Sequence, residues 1–255
     1  MKHTISKESN FTFIETMPDY EGAPLMLLHG LMGALSNFET ILDEFGSKRN
    51  VVVPLLPIFE MPLRSVNLEG LVEYVHSFIV HKGYSKVHLL GNSLGGHICQ
   101  LVALQYPELV SSVTLTGSSG LFESAMGNSF PKRGDRDFIK RKTEMVFYDP
   151  KCATDELIDE VYNTVNDLGK AIRIVKTAKS AVRHNLEDML HTINLPVLLI
   201  WGKNDEVTPA WVGEKFHELL PNSELHIFDE CGHVPMMEHA EKFNFLLDQF
   251  LVKHS

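Results

Sequence analysis

The sequence predicts an α/β fold in which a mostly parallel sheet carries helices on both faces. Short apolar runs typical of buried strands recur along the chain, and helical segments separate most of them. One of these runs ends in a glycine-flanked serine, after which a helical pattern begins. A chain of 255 residues is long enough for one domain with a full core and an inserted segment.

The predicted strands differ in how much of each lies in the core. The first alternates apolar and polar residues like a half-buried strand, whereas later ones are apolar on both faces, as central parallel strands are. Strands are predicted at residues 11–16, 24–28, 50–53, 87–90, 113–117, 196–201 and 225–228. Helices are predicted at 68–80, 94–105, 211–220 and 241–252.

The pattern changes between residues 121 and 190, where buried-strand runs are absent and helical periodicity dominates. Apolar residues recur at three- and four-residue steps in 155–165 and 171–182, and Thr154 is a suitable N-cap. We therefore expect a core formed by residues 1–120 and 191–255, with a helical lid inserted at 121–190.

The serine lies in the pattern G-x-S-x-G, formed by Gly91-Asn92-Ser93-Leu94-Gly95. A strand-to-helix turn of this kind strains the serine backbone and crowds its neighbours, so Gly91 and Gly95 supply room, and Gly96 lets the helix pack closely. The turn would hold the serine oxygen at the carboxyl edge of the sheet, where open α/β sheets bind ligands. The pentapeptide alone favours a serine that only caps the helix, until a base and an acid are found elsewhere in the chain.

A serine hydroxyl becomes a nucleophile when a base takes its proton and an acid orients that base. Asp205 follows the strand that ends at Trp201, and His233 follows the strand that ends at Phe228. Loops after parallel strands meet at one edge, so both would lie beside Ser93. Glu206 is the alternative acid.

The chain order Ser93, Asp205, His233, together with residues 91–96, 201–205 and 231–233 in register with the strands, resembles the α/β-hydrolase superfamily. The resemblance implies the α/β-hydrolase fold, with Ser93 as nucleophile, His233 as base and Asp205 as acid. It also implies that His29 packs beneath the loop that follows its strand.

Charge that develops on a substrate carbonyl oxygen needs preorganised donors. One predicted donor is the backbone N–H of Leu94, at a helix N-terminus. The other comes from the loop at residues 29–33, with the N–H of Leu31 preferred and that of Met32 as the alternative.

Within the superfamily, a serine rather than an aspartate at position 93 implies acyl transfer. The loop His29-Gly30-Leu31-Met32-Gly33 resembles that of small bacterial carboxylesterases and thioesterases, whereas residues 91–120 and 238–244 resemble C–C hydrolases that cleave meta-cleavage products. Those C–C hydrolases carry a triple-glycine loop and a tryptophan after the histidine, which this chain lacks. We expect hydrolysis of an ester or thioester of a small apolar acyl group. A dienoate C–C hydrolase and a non-hydrolytic ligand sensor that keeps the triad are the alternatives.

Methionines and phenylalanines near the predicted site are expected to form an apolar acyl pocket, with ordinary lid packing as the alternative for each. The predicted substrate-binding residues are Met32, Phe122, Met126 and Met236.

Composition excludes several classes of partner. The net charge of −10, from 23 basic and 33 acidic residues without a basic stripe, excludes nucleic acid. The three cysteines form neither a disulfide framework nor a C-x-x-C motif, and no H-E-x-x-H motif occurs, so we expect no metal and no cofactor. The absence of a signal peptide and of long apolar runs predicts a cytoplasmic protein with no membrane partner. A small-molecule substrate is the expected partner, and a homodimer is left open.

Overall fold

The computed structural model describes residues 4–17, 19–32, 35–124 and 132–255. Their strands form one eight-stranded sheet in the order β1-β2-β4-β3-β5-β6-β7-β8. β1 and β2 form an antiparallel edge, and β3 to β8 run parallel. The strands are β1 (Ile5–Glu8), β2 (Phe11–Glu15), β3 (Leu25–Leu28), β4 (Val51–Pro54), β5 (Val87–Asn92), β6 (Val110–Thr116), β7 (Val197–Gly202) and β8 (Ser223–Phe228).

Helices connect the parallel strands and flank the sheet. They are α1 (Glu39–Phe45), α2 (Leu68–Lys82), α3 (Leu94–Gln105), α4 (Arg136–Glu144), α5 (Asp155–Asn166), α6 (Leu168–Arg183), α7 (Ala210–Leu219), α8 (Pro235–Glu238) and α9 (Ala240–Lys253). The mostly parallel sheet with flanking helices confirms the predicted fold class.

Two apolar clusters, one on each face of the sheet, form the core. In β3, Met26 and Leu28 belong to the cluster under α2, α3 and α7, whereas Leu25 and Leu27 belong to the cluster under α1 and α9. This division follows from the two-residue side-chain period of a strand. Because both faces of β3 are covered, all four of its residues are buried, and the strand reads as an unbroken apolar run.

Several elements carry too weak a pattern to be predicted from the sequence. β1 is an edge strand with largely exposed side chains, including an exposed Ile5. In α4 only Ile139 and Thr143 are buried, because most of its other residues are charged. Short strands and helices with few buried residues give little periodicity to read.

Between β6 and β7 the described residues form α4, α5 and α6 and no strand. Thr154 caps α5 as predicted, since its hydroxyl accepts a hydrogen bond from the N–H of Leu157 at 3.3 Å. α5 packs between α4 and α6, and α6 also contacts α2 of the core. Whether residues 121–190 act as a lid stays a prediction. No helix in the described part of the chain combines the length and the apolar character needed to cross a membrane.

Candidate active site

Ser93 lies on a sharp turn between β5 and α3. Its φ of 54° and ψ of −119° place a non-glycine residue in a conformation that costs energy and is held by its surroundings. A Cβ atom at Gly95 would lie 1.9 Å from the carbonyl oxygen of Leu28, and one at Gly91 would lie 2.4 Å from the backbone of Gly95. Glycine at 91 and 95 is therefore required for α3 to approach β3 and β5 this closely.

Asp205 and His233 form a buried hydrogen-bonded pair. The imidazole Nδ1 of His233 lies 2.8 Å from Oδ2 of Asp205. The other carboxylate oxygen of Asp205 accepts the backbone N–H groups of Val207 and Thr208, each at 2.8 Å. The hydroxyl of Thr208 donates to Oδ2 at 2.8 Å. With both oxygens occupied, the carboxylate is fixed and directs the Nδ1–H of the ring towards itself.

The predicted alternative acid does not take this position. Glu206 lines the cavity next to the loop, whereas the imidazole pairs with Asp205. The two neighbouring acids are distinguished by the tight turn at residues 205–208, in which the Asp205 carboxylate caps its own following N–H groups.

Burial disfavours the charged imidazolium of His233, but Asp205 and then Glu123 favour it, and the pKa of His233 is raised overall. A base with a raised pKa holds an abstracted proton more firmly. The arrangement therefore stabilises the imidazolium that forms during nucleophilic attack.

His233 is also fixed by the strands next to it. The side-chain amide of Asn92 donates to the carbonyl oxygens of His233 at 3.1 Å and of Thr116 at 3.0 Å, tying the histidine loop to β5 and β6. A Cβ atom at Gly117, whose φ is +49°, would lie 2.8 Å from Nδ1 of the ring, so the imidazole packs directly on this backbone.

Ser93 and His233 line the same cavity. Among the hydrogen bonds of the described residues, none joins the serine hydroxyl to the imidazole. In enzymes without substrate this contact is often long and tightens only when substrate binds. The structure thus brings all three predicted triad residues to one edge of the sheet.

The two predicted oxyanion donors lie on the same cavity wall. Leu94 is the first residue of α3, so its N–H points out of the helix N-terminus, and Leu31 lies in the loop after β3. Within the described part of the chain, neither N–H donates to another protein group. His29 supports this loop from below, because its Nδ1 contacts the carbonyl oxygen of Gly30 at 2.8 Å and its Nε2 accepts the N–H of Leu56 at 3.2 Å.

The four predicted substrate-binding residues have different positions. Met32 lines the cavity. Phe122 does not: its side chain is exposed, and its ring packs on that of Trp211 with the centroids 5.1 Å apart. Met236 is fully buried in the core, and its neighbour Met237 lines the cavity instead, because successive helical residues point about 100° apart. Phe122 and Met236 are thus corrections, and Met126 lies outside the described residues.

The cavity has a volume of about 270 Å³ and is lined mostly by apolar side chains. Much of the wall comes from α4, α5 and α6, including Phe138, Leu157, Val161, Val165, Ile174 and Ala178. Three charged residues also reach it, namely Glu123, Lys142 and Glu206. Glu123 and Lys142 were not predicted as site residues, because a single charged residue outside any motif gives no signal in the sequence.

A second groove, of about 580 Å³, lies on the surface beside α6, lined by residues that include Asn67, Ile172, Lys176 and His184. None of the triad residues borders it, so it is not the candidate active site. Among the described residues, no group of three or more His, Cys, Asp or Glu side chains is placed to hold a metal ion.

A family model described as "Alpha/beta hydrolase family" matches residues 25–244. The chain is 30% identical over 244 residues to the dihydrolipoyllysine-residue acetyltransferase component of the acetoin cleaving system of Pseudomonas putida. The match covers 91% of this chain and 64% of that protein. A 2-hydroxy-6-oxononadienedioate/2-hydroxy-6-oxononatrienedioate hydrolase from a Pseudomonas species is 29% identical over 184 residues, which are 67% of this chain and 65% of that protein. In both cases the match spans less than two thirds of the relative's length.

Among solved structures, MGS-MChE2 is similar over 98% of both chains, with a TM-score of 0.80 and 39% identity. It is described as an alpha/beta hydrolase enzyme from the metagenome of sediments from the lagoon of Mar Chica, Morocco.

Proposed function

This chain belongs to the alpha/beta hydrolase family, and from that membership and the geometry of the cavity we propose that it is a serine esterase that cleaves an ester or thioester of a small apolar acyl group. The observation that carries the proposal is the Asp205–His233 pair, 2.8 Å apart, which opens on the same cavity as a serine held on a strained turn.

In the proposed reaction, Nε2 of His233 takes the proton of the Ser93 hydroxyl while Oγ attacks the acyl carbon. The N–H groups of Leu31 and Leu94 bind the resulting oxyanion. The tetrahedral intermediate collapses as His233 passes its proton to the leaving alcohol or thiol, and the acyl group stays on Ser93. His233 then takes a proton from water, which attacks the acyl carbon of the acyl-enzyme. As the C–Oγ bond breaks and the acid leaves, His233 returns that proton to Oγ of Ser93.

The cavity wall argues for a small apolar acyl group. Ligand pockets commonly measure about 300–1,000 Å³, and this one is near the lower limit at about 270 Å³. Val161, Val165 and Ile174 of the α5–α6 pair face it with methyl groups rather than hydrogen-bonding atoms. Such a wall favours an acyl chain over a sugar or a polar head group.

The test combines an organophosphorus active-serine probe with turnover of 4-nitrophenyl esters of increasing acyl length. The wild-type protein is expected to be labelled and to prefer short acyl chains. Ser93→Ala is expected to lose labelling and at least about 10³-fold in kcat. Ser77→Ala is the matched control, because that hydroxyl lies on α2 and bonds Glu73, away from the cavity. Labelling without turnover of any ester would favour a ligand sensor, and wild-type turnover by Ser93→Ala would refute the mechanism.

A second candidate function is C–C bond hydrolysis of a dienoate. Two observations favour it: the relative from Pseudomonas is named for such a substrate, and Lys142 lines the cavity with no carboxylate partner among the described residues. A lysine in that position could bind a substrate carboxylate. Cleavage of a dienoate much faster than that of any ester in the same series would establish this function in place of the esterase.

A further inference from the structure

Glu123 is a second acidic residue beside the catalytic imidazole. It lies between β6 and α4, and it lines the cavity together with Ser93 and His233. The Ser119 hydroxyl favours the ionised form of its carboxylate and so lowers the pKa of Glu123, against the larger opposing effect of burial. The next residue, Ser124, donates its N–H to the carbonyl oxygen of Val207 at 2.7 Å.

These contacts fix the Glu123 backbone between two parts of the site. The N–H of Ser119 donates to the carbonyl oxygen of Ser93 at 3.2 Å, and Val207 belongs to the turn that holds Asp205. Glu123 is therefore held by the same loops that hold the nucleophile and the acid, and its charge has a defined place in the cavity.

Asp205 and Glu123 act on His233 in different ways. Asp205 is buried and hydrogen-bonded to the ring, so it sets the tautomer. Glu123 is partly buried, and no hydrogen bond links it to the imidazole among those of the described residues. Its ionised carboxylate acts through space and raises the pKa of His233, while burial raises the pKa of Glu123 itself.

Two other charged side chains lie on the cavity wall, Glu206 beside Asp205 and Lys142 at the end of α4. Among the ion pairs of the described residues, none joins Lys142 to Glu123 or Glu206. The side-chain nitrogen of Lys142 instead lies 3.6 Å from the sulfur of Met145. The carboxylate of Glu123 thus has no direct ion-pair partner among the described residues.

We propose that Glu123 is a specificity-determining residue whose carboxylate directs the cavity towards neutral acyl esters and away from substrates that carry a negative charge. The inference rests on the proposed esterase function. A partly desolvated carboxylate repels a second anion more strongly than it would in water, because the effective dielectric constant is lower. A substrate whose acyl group ends in a carboxylate meets this repulsion, whereas its uncharged analogue does not.

The experiment measures kcat/KM for two esters of similar size, 4-nitrophenyl butyrate and the mono-4-nitrophenyl ester of succinic acid. The variants are Glu123→Gln, which removes the charge, and Glu123→Asp, which keeps it. Glu108→Gln, an exposed residue outside the cavity, controls for the change in net charge. Each variant is first checked for wild-type thermal unfolding, and the pH profile is recorded from about pH 5 to about pH 9 with the neutral ester.

Glu123→Gln is expected to raise the ratio of anionic to neutral kcat/KM about five- to tenfold. It is also expected to move the acid limb of the profile to lower pH, since loss of the carboxylate removes an interaction that raises the pKa of His233. Glu123→Asp and Glu108→Gln are expected to stay close to wild type.

If Glu123→Gln leaves either the ratio or the acid limb unchanged while the esters are still cleaved, the role of Glu123 is refuted and the esterase proposal survives. If the wild-type protein cleaves neither ester, the esterase proposal fails, and the specificity inference falls with it.

Discussion

Replacing Asp205 by asparagine tests the part of the site that the structure defines most closely. The Oδ1 atom of Asp205 accepts the N–H groups of Val207 and Thr208, both at 2.8 Å. Asparagine would keep these two bonds only by placing its carbonyl oxygen in the Oδ1 position. Its amide NH₂ would then face Nδ1 of His233, in place of the oxygen that now lies 2.8 Å from the ring.

The reversed dipole has a defined chemical consequence. An NH₂ group donates, so Nδ1 must become an acceptor, and the ring proton moves to Nε2, the atom that has to accept the proton of Ser93. A base in the wrong tautomer loses its function although its position is kept. The equivalent change in a serine protease costs about 10⁴-fold in kcat, and the same geometry predicts a loss of about 10³- to 10⁴-fold here, or about 4–5 kcal/mol of transition-state stabilisation.

The assay is kcat with a 4-nitrophenyl ester, together with ring ¹⁵N chemical shifts of His233 that identify the protonated nitrogen. Asp229→Asn is the matched control, because this exposed aspartate pairs with Lys203 at 2.6 Å and lies outside the cavity. If Asp205→Asn shows the Nε2–H tautomer but keeps kcat within tenfold of wild type, the proposed role of the Asp205 carboxylate in setting the catalytic tautomer is refuted.

Two further predictions concern stability. Gly95→Ala places a Cβ atom 1.9 Å from the carbonyl oxygen of Leu28 and is expected to lower the free energy of unfolding by about 3 kcal/mol or more, since the backbone must move. Gly169→Ala is the control, because its Cβ atom would approach no atom closer than 3.2 Å, and it is expected to change the free energy of unfolding by less than about 1 kcal/mol. Equal effects of the two substitutions in urea unfolding would contradict the packing argument. His97 is buried with neither ring nitrogen hydrogen-bonded among the described residues, and burial lowers its pKa to about 3. Because the folded-state pKa lies below that of the unfolded chain, the stability that depends on neutral His97 is fully present above about pH 6.5 and is lost as pH falls towards about 3. His97→Leu is therefore expected to raise the free energy of unfolding by about 1–3 kcal/mol at neutral pH. Urea titrations are expected to show that this difference from wild type grows at lower pH. A difference that does not change with pH would contradict the lowered pKa of His97.

Much of the architecture could be predicted because its signals are local. The buried strands β3, β4 and β7 are apolar along their whole length, since both faces of the sheet are covered. The order of Ser93, Asp205 and His233 relative to strand ends could be read directly, and parallel strands bring their carboxyl ends together whatever the distance in sequence. The positions of all three follow from this rule alone.

The edge strand β1 and the largely polar helix α4 could not be predicted from the sequence in the same way. β1 contributes no fully buried residue, and α4 buries only Ile139 and Thr143. Neither carries the apolar periodicity from which a strand or helix is recognised.

The sequence by itself determined the fold class and the three residues of the proposed triad, because those depend on apolar periodicity and on the order of strand ends. Only the tertiary structure decided which side chains form the cavity wall. Met237 faces the cavity and Met236 the core, Phe122 packs outward on Trp211, and Glu123 lines the same cavity as His233. Which face of a short helix or loop is buried depends on how the insertion packs against the core, and no local pattern encodes that packing.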